Sequence, residues 1–243
     1  MSMLVSDYDG TYANGERNIN LNSYAINGLL STGHTFVLSS GRSYESLLRK
    51  TRINEIPYSY LGCADGNFLF DSEGNLLQGF FMSHEIIDKI EKLKKAALYE
   101  RIDYTYEREY STIYKPNEKL GSISFVVKES NRTDELLEEY NRLKEENPDY
   151  NFMPYSYNGT IYFMIRPKGV SKSSPIIYLQ DKLQIPNSEI FTIGDGDNDL
   201  EMIRDYNGFV IGDNKALHEV ALGEYHSVHA LADDIAKKKV KRR

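Results

Sequence analysis

The sequence predicts an α/β fold, a doubly wound parallel-sheet core carrying an inserted α+β domain. Short apolar runs alternate with helix-period segments at the start of the chain, and the alternation resumes after residue 170. Residues from about 80 to 166 break it. Strands alternating with helices signal a parallel sheet with helical crossovers, and an interruption of that rhythm signals an insert with an architecture of its own.

Met3-Leu4-Val5-Ser6-Asp7 is a short apolar run entering the turn-rich Asp9-Gly10-Thr11, as a buried strand reaching a loop does. The next segment predicts a helix with Leu21, Tyr24, Ala25, Gly28 and Leu29 on one face. Asn20 or Asn22 is placed to cap its start, and Gly33 to stop it. Thr35 to Ser39 reads as a second buried strand; Ser40-Gly41-Arg42 breaks it, and Ser43 caps a helix carrying Leu47 and Leu48.

In the insert, one helix follows Ser83 with Ile86, Ile87, Ile90, Leu93 and Ala97 on a face. Another follows Thr133 with Leu136, Leu137, Tyr140 and Leu143. Strands are predicted at 103–106, 111–115, 122–127, 150–155 and 160–165, all rich in Tyr, Ile, Val and Phe. Beyond the insert come a helix at 174–183 with Pro175 in its first turn, a strand at 190–193, an acidic loop at 194–199, a helix near 200–204 and a strand at 209–211. The Lys/Arg cluster at 237–243 reads as a solvated, frayed tail.

Composition excludes several function classes. Apolar residues make up 40% and charged residues 27%, with seven prolines, which is ordinary globular usage. The lone Cys63 allows no intramolecular disulfide, and no secretory leader is evident, so the cytoplasm is the expected location. No apolar run approaches the roughly 18 residues that span a bilayer. A net charge of −7 argues against nucleic acid as a partner.

Asp7 and Asp9 stand two residues apart straight after a strand, at the edge where α/β proteins bind ligands. Gly194-Asp195-Gly196-Asp197-Asn198-Asp199 also follows a strand and opens a helix. Convergence of Asp7, Asp9 and Asp195 at one sheet edge would cost on the order of 4 kcal/mol per pair of charges about 4 Å apart, at an effective dielectric of about 20. A cation is therefore required, and oxygen ligands without His or Cys point to Mg²⁺. Counted from Asp195, a calcium-binding EF-hand loop needs Gly and Glu where the chain has Leu200 and Tyr206. A dinucleotide fingerprint needs Gly where it has Asp199. Ser40, with the backbone of Gly41 beside it, suits a phosphate oxygen, and Lys172 could give one ammonium to the same phosphate. Each alone reads as a helix cap or a surface lysine.

Taken in order, Asp7-Tyr8-Asp9-Gly10-Thr11, Ser40-Gly41-Arg42, Gly169-Val170-Ser171-Lys172 and Gly194-Asp195-Gly196-Asp197-Asn198-Asp199-Leu200-Glu201-Met202 make the chain similar to haloacid dehalogenase-like (HAD) phosphatases. The resemblance is to the Cof-type branch, subfamily IIB, with an inserted cap of the C2 kind. It implies a Rossmann-like core at 1–79 and 167–243, a cap at 80–166 and an active site at their junction. It further implies Asp7 as nucleophile and Asp9 as general acid and base. Mg²⁺ would sit on Asp7, the backbone carbonyl of Asp9 and Asp195. Ser40, Gly41, Lys172 and Asn198 would bind the phosphoryl group, Thr11 and Arg42 would support them, and Asp199 would orient metal-bound water or Lys172. The implied substrate is a small phosphate ester, a sugar phosphate first, and the implied state a monomer or weak homo-oligomer. Asp65-Gly66-Asn67 and Gly212-Asp213-Asn214-Lys215-Ala216 depart from the usual Asn-Gly-Ala and Gly-Asn-Ala of the family. Rival readings are a sugar phosphomutase of the same superfamily, a receiver-like regulatory module and a non-catalytic phosphate-ligand binder.

Overall fold

The computed structural model describes residues 1–92, 99–128, 134–157 and 159–243. The expected face residues Leu93 and Ala97 lie outside them, as do Thr133 and the side chain of Leu136. In chain order the elements are β1 (Met3–Asp7), α1 (Glu16–Ser31), β2 (Thr35–Ser39), α2 (Tyr44–Ile53), β3 (Tyr60–Cys63), β4 (Phe68–Asp71), β5 (Leu76–Gly79), α3 (His84–Lys92), β6 (Arg101–Tyr106), β7 (Tyr110–Ser111), β8 (Leu120–Lys128), α4 (Asp134–Glu146), β9 (Tyr150–Tyr157) and β10 (Thr160–Pro167). Then follow α5 (Ser173–Leu183), β11 (Ile190–Gly194), α6 (Leu200–Asp205), β12 (Asn207–Val210), α7 (Lys215–Val220), β13 (Gly223–Glu224) and α8 (Val228–Ala236). The chain forms two compact units, Met1–Gln78 with Ser171–Arg243, and Gly79–Val170.

The first unit holds an eight-stranded sheet ordered β13-β12-β11-β1-β2-β3-β4-β5. From β13 to β3 every neighbour is parallel, and β4 turns back on β3. Strands β1, β2 and β11 are buried at every position, which is why they read as continuous apolar runs rather than alternating ones. With Asp7 level with Ser39, and Ser6 with Ile193, the loops after β1, β2 and β11 leave the same edge of the sheet. Strands β4 and β5 went unpredicted because four-residue segments offer too few alternations to register.

Helix α1 corrects the sequence reading. Leu21 and Tyr24 face solvent, and the buried residues are Asn22, Ser23, Ile26 and Leu29. Asn22 caps nothing: its amide donates to the Tyr12 carbonyl at 2.9 Å and accepts from the His229 backbone N–H at 2.8 Å, while Ser23 and Tyr12 share a 3.1 Å hydrogen bond. Polar groups satisfied in this way can be buried without the usual penalty, and they turn the helix away from its apolar stripe. Gly33, at φ +81°, follows the end of α1 as expected, and Ser43 caps α2 by accepting from the Ser46 N–H.

The basic tail is likewise docked rather than frayed. Val240 is buried; Arg242 pairs with Glu189 at 3.1 Å, and Arg243 donates its backbone N–H to Asn207 at 2.7 Å and its guanidinium to the carbonyls of Ile203 and Val220. Deleting residues 240–243 is expected to cost about 2–4 kcal/mol in urea unfolding, from one buried valine and three hydrogen bonds. The partly exposed contacts of Arg242, to Glu189 and to the Ser188 carbonyl, add little.

The second unit is an antiparallel sheet, β7-β6-β8-β10-β9. Ile86, Ile87 and Ile90 of α3 and Tyr140 and Leu143 of α4 share one core with Phe125 and Phe163 of the sheet. Leu137 is exposed, against expectation, leaving Tyr140 and Leu143 as the inward members of the predicted face among the described side chains. The strand expected at 111–115 shrinks to Tyr110–Ser111 because the Tyr106 hydroxyl accepts from the Lys115 N–H at 2.6 Å and draws the following residues into a loop. No helix among the described residues is long and apolar enough to cross a membrane.

Candidate active site

The loops after β1, β2, β3 and β11 and the start of α5 supply the side chains. Asp7, the last residue of β1, is buried, and Lys172, just before α5, is only 1% exposed. The Lys172 ammonium donates to Asp7 Oδ1 at 2.6 Å and to Asp199 Oδ1 at 2.7 Å. Asp199, fully buried, takes backbone N–H donors from Asp195 and Gly196 on its other oxygen, both at 3.0 Å. Thr11 donates its hydroxyl to Asp195 Oδ1. Gly10 has φ +83°, and a β-carbon there would stand 2.2 Å from Asp195 Oδ2. Glycine at this position is what lets the β1 loop and the β11 loop close on each other.

Carboxylate oxygens of Asp7, Asp195 and Asp199 lie within 4.8 Å of one another. The third member corrects the expected convergence: Asp199 takes the place foreseen for Asp9. The Asp9 carboxylate instead forms a bidentate pair with Arg42, Nε to Oδ2 at 2.7 Å and Nη2 to Oδ1 at 2.6 Å. Arg42 is itself set by Ser46 at 3.3 Å and by the Tyr8 ring, 5.5 Å from its guanidinium carbon.

Burial pushes the Asp7 carboxyl up to about 8; Lys172 pulls it down, and Asp199 and Asp195 push it up again. Burial also raises Asp195, with the Thr11 hydrogen bond opposing. Burial acts to lower the Lys172 ammonium, but the carboxylates of Asp199 and Asp7 outweigh it and hold the group above its ordinary value. Three carboxylates therefore face one ammonium, an excess of negative charge at an all-oxygen donor set. A hard divalent cation such as Mg²⁺ fits that set. Asp199 already spends both oxygens on Lys172 and two amides, so Asp7 and Asp195 are the carboxylates able to hold it, and the expected ligand from Asp9 is its backbone carbonyl, not the carboxylate paired with Arg42.

A carboxyl raised in the folded state stabilises the fold fully below its unfolded value of 3.8, and that contribution declines with rising pH until it is gone above about 8. A metal ion held there would compete with the proton for Asp7 across this window. The rise in melting temperature on replacing chelator by Mg²⁺ is thus expected to be larger near pH 9 than near pH 6, as read by thermal denaturation at each pH.

The remaining sequence-derived residues lie in the loops after β2, β11 and β12. Ser40 Oγ accepts from the Arg42 N–H at 3.2 Å, and Gly41 lies against Asp65, whose carboxylate would stand 3.2 Å from a β-carbon there. Asn198 donates to Asp65 Oδ1 at 2.9 Å. Asn214 caps α7 and ties the acidic loop by donating to Asp197 Oδ1 at 2.9 Å. Asp65 had no role in the sequence reading. Ala64, Asp65 and Gly66 have φ values of +51°, +52° and +91°, and the backbone N–H groups of Ala64 and Asp65 bond the carbonyls of Arg42 and Ser40. A β-carbon on Gly66 would fall 1.8 Å from the Ser171 carbonyl oxygen, so this turn presses directly against the segment carrying Lys172. Its one sequence signal, Asp-Gly, marks any tight turn.

Three solved structures illustrate the likeness of the whole chain. A haloacid dehalogenase-like hydrolase from B. subtilis superposes with a TM-score of 0.77 at 16% identity, covering 97% of this chain and 99% of its own. A HAD/COF-like hydrolase from Plasmodium vivax gives 0.73 at 16%, with 98% and 96% covered. A HAD subclass IIB sugar phosphatase gives 0.71 at 15%, with 98% of both chains covered. At such identities the likeness establishes the fold: a mostly parallel α/β core with an inserted antiparallel-sheet cap. No curated protein matches the sequence. The sequence itself matches the family of haloacid dehalogenase-like hydrolases over residues 4–135 and 91–216, which together take in the β1 loop, the Lys172 segment and the acidic loop. The chain belongs to the haloacid dehalogenase-like hydrolases.

Proposed function

We propose that this chain hydrolyses small phosphate monoesters, sugar phosphates foremost, through an aspartyl-phosphate on Asp7 with Mg²⁺ as its metal. The observation that carries the reading is the buried ammonium of Lys172 set between Asp7 and Asp199 beside Asp195. Such an arrangement holds a carboxylate nucleophile in one orientation and leaves positive charge next to it. The sugar class rests on the subclass IIB sugar phosphatase among the similar structures.

Asp7 attacks phosphorus in line as the bond to the ester oxygen breaks, and Asp9 gives a proton to that departing oxygen. Asp9, now a carboxylate, takes a proton from water; the water oxygen attacks phosphorus, the bond to Asp7 breaks, and inorganic phosphate leaves. When bound, Mg²⁺ neutralises charge on the transferring phosphoryl group. Lys172 has three N–H donors and spends two on Asp7 and Asp199, so the third is left for a phosphoryl oxygen. Ser40 accepts at its oxygen and keeps its O–H to donate; Asn198 keeps its second amide N–H. To act, Asp9 must leave Arg42, and a half-exposed pair of that kind costs only about 0–1 kcal/mol to break. A cytoplasmic monomer or weak homo-oligomer completes the reading.

Phosphate release from a panel of aryl and sugar phosphates is the test. Release is expected with Mg²⁺ and should fall about 100-fold or more in excess chelator. No release from any ester by a folded protein that binds Mg²⁺ would overturn the hydrolytic reading.

A further inference from the structure

The sheet of the second unit has two chemically different faces. One packs on α3 and α4 through Ile123, Phe125, Phe163 and Ile165. On the other, strand register lays out a transverse row with one residue from each strand. Arg166 of β10 is level with Asn151 of β9, Thr105 of β6 is level with both Ser122 of β8 and Tyr110 of β7, and Ile165 is level with Ile123. That last pairing puts Arg166 beside Ser122. The row thus reads Asn151, Arg166, Ser122, Thr105, Tyr110, with a hydrogen-bonding side chain at every position.

Arg166 is the charge in this row, and it is 6% exposed. Among the described residues its one hydrogen bond is a weak contact from Nη2 to the Met153 sulfur at 3.4 Å, and its buried Nε has no partner there. Among the described residues no carboxylate pairs with it. Asp103, on the neighbouring row beside Ser124, is engaged by Arg101 through both oxygens at 2.8 and 3.2 Å. A guanidinium carries five N–H donors and a full charge, and burying it with no anion and only a weak sulfur acceptor is strongly unfavourable. Its planar fork matches the two oxygens of a carboxylate or phosphate. Ser122 spends its one O–H on Thr105 Oγ1 at 2.8 Å, which leaves the Thr105 hydrogen and the buried Ser124 hydroxyl to donate alongside.

We propose that this row is an anion-binding site centred on Arg166, built to take the carboxylate or phosphoryl group of a small metabolite. The inference stands on the second unit alone and does not depend on the hydrolytic reading.

Arginine Nε–H resonances of the full chain, recorded in chelator while inorganic phosphate or citrate is titrated in, provide the test. The Arg166 signal is identified as the one missing from Arg166→Met. It should shift saturably with at least one of the two anions, and the anion binding more tightly shows whether the site takes phosphate or carboxylate. A second arm compares melting temperatures in anion-free buffer. With its charge unpaired in the wild type, Arg166→Met should melt at the same temperature or higher, and the added anion should raise the melting temperature of the wild type more than that of the variant. An Arg166 signal indifferent to both anions, or a variant that melts well below the wild type without anion, would overturn the proposal, since either result means that Arg166 is already satisfied within the protein.

Discussion

Asp7→Asn is expected to reduce phosphate release by at least about 10⁴-fold while leaving the protein folded. The amide keeps the shape of the carboxyl but cannot form the acyl-phosphate bond. Folding should be indifferent or slightly improved, because burial raises the wild-type carboxyl and so disfavours its charge when no metal is bound. Above that pH the variant should melt higher than the chelated wild type, since it avoids a buried negative charge next to Asp195 and Asp199. Its gain in melting temperature on adding Mg²⁺ should shrink as well, one of the two available carboxylates being gone. Wild-type turnover in this variant would remove Asp7 from the mechanism.

Lys172→Met should damage both stability and catalysis. In the wild type, one ammonium at 1% exposure answers two carboxylates that are themselves buried. Removing one member of a buried charge group leaves the others uncompensated, at a cost of about 3–5 kcal/mol. The cost should grow with pH, because protonation of the carboxyls at low pH relieves the need for the lysine. Denaturant unfolding at two pH values, with chelator present, reads this directly. Added Mg²⁺ should restore part of the stability but little of the rate, because the ion answers the charge on Asp7 without replacing the N–H aimed at the phosphoryl oxygen. A variant as stable as the wild type at high pH would mean that the Lys172 pair contributes nothing to the fold.

What the sequence made legible was local. Asp7 ends β1 and Asp9 stands two residues beyond it, residues 195–199 follow β11 directly, and each could be read from an apolar run ending in acid. Contacts between segments far apart in the chain were legible only where the family motifs implied them, as for Lys172 and Asp199; the others left no mark. Asn22 and Ser23 are buried on α1 because Tyr12 and His229 satisfy them, and His229 is 207 residues from Asn22. The partner of Asp9, Arg42, lies 33 residues away and looks like an ordinary post-strand arginine. Asp65 needs two neighbours with positive φ to reach Asn198, and backbone handedness leaves no mark on residue type apart from Gly66. The tail misled for the opposite reason: Lys237 to Arg243 has the composition of a solvated segment, while Val240 and two arginines find specific partners.

The place of β1 between β2 and β11 also sets an order of events during synthesis. β1 and β2 emerge almost together, but the other neighbour of β1 begins at Ile190, and at about 5–20 residues per second the intervening chain takes on the order of ten seconds to make. Meanwhile Gly79–Val170, which is contiguous, has every one of its strand partners available. The nascent chain therefore carries Asp7 and Asp9 through most of translation with neither Lys172 nor the β11 strand that closes their side of the sheet. One flank of β1 stays open to intermolecular pairing until then, and the step that ends this exposure is the same one that assembles the acidic cluster.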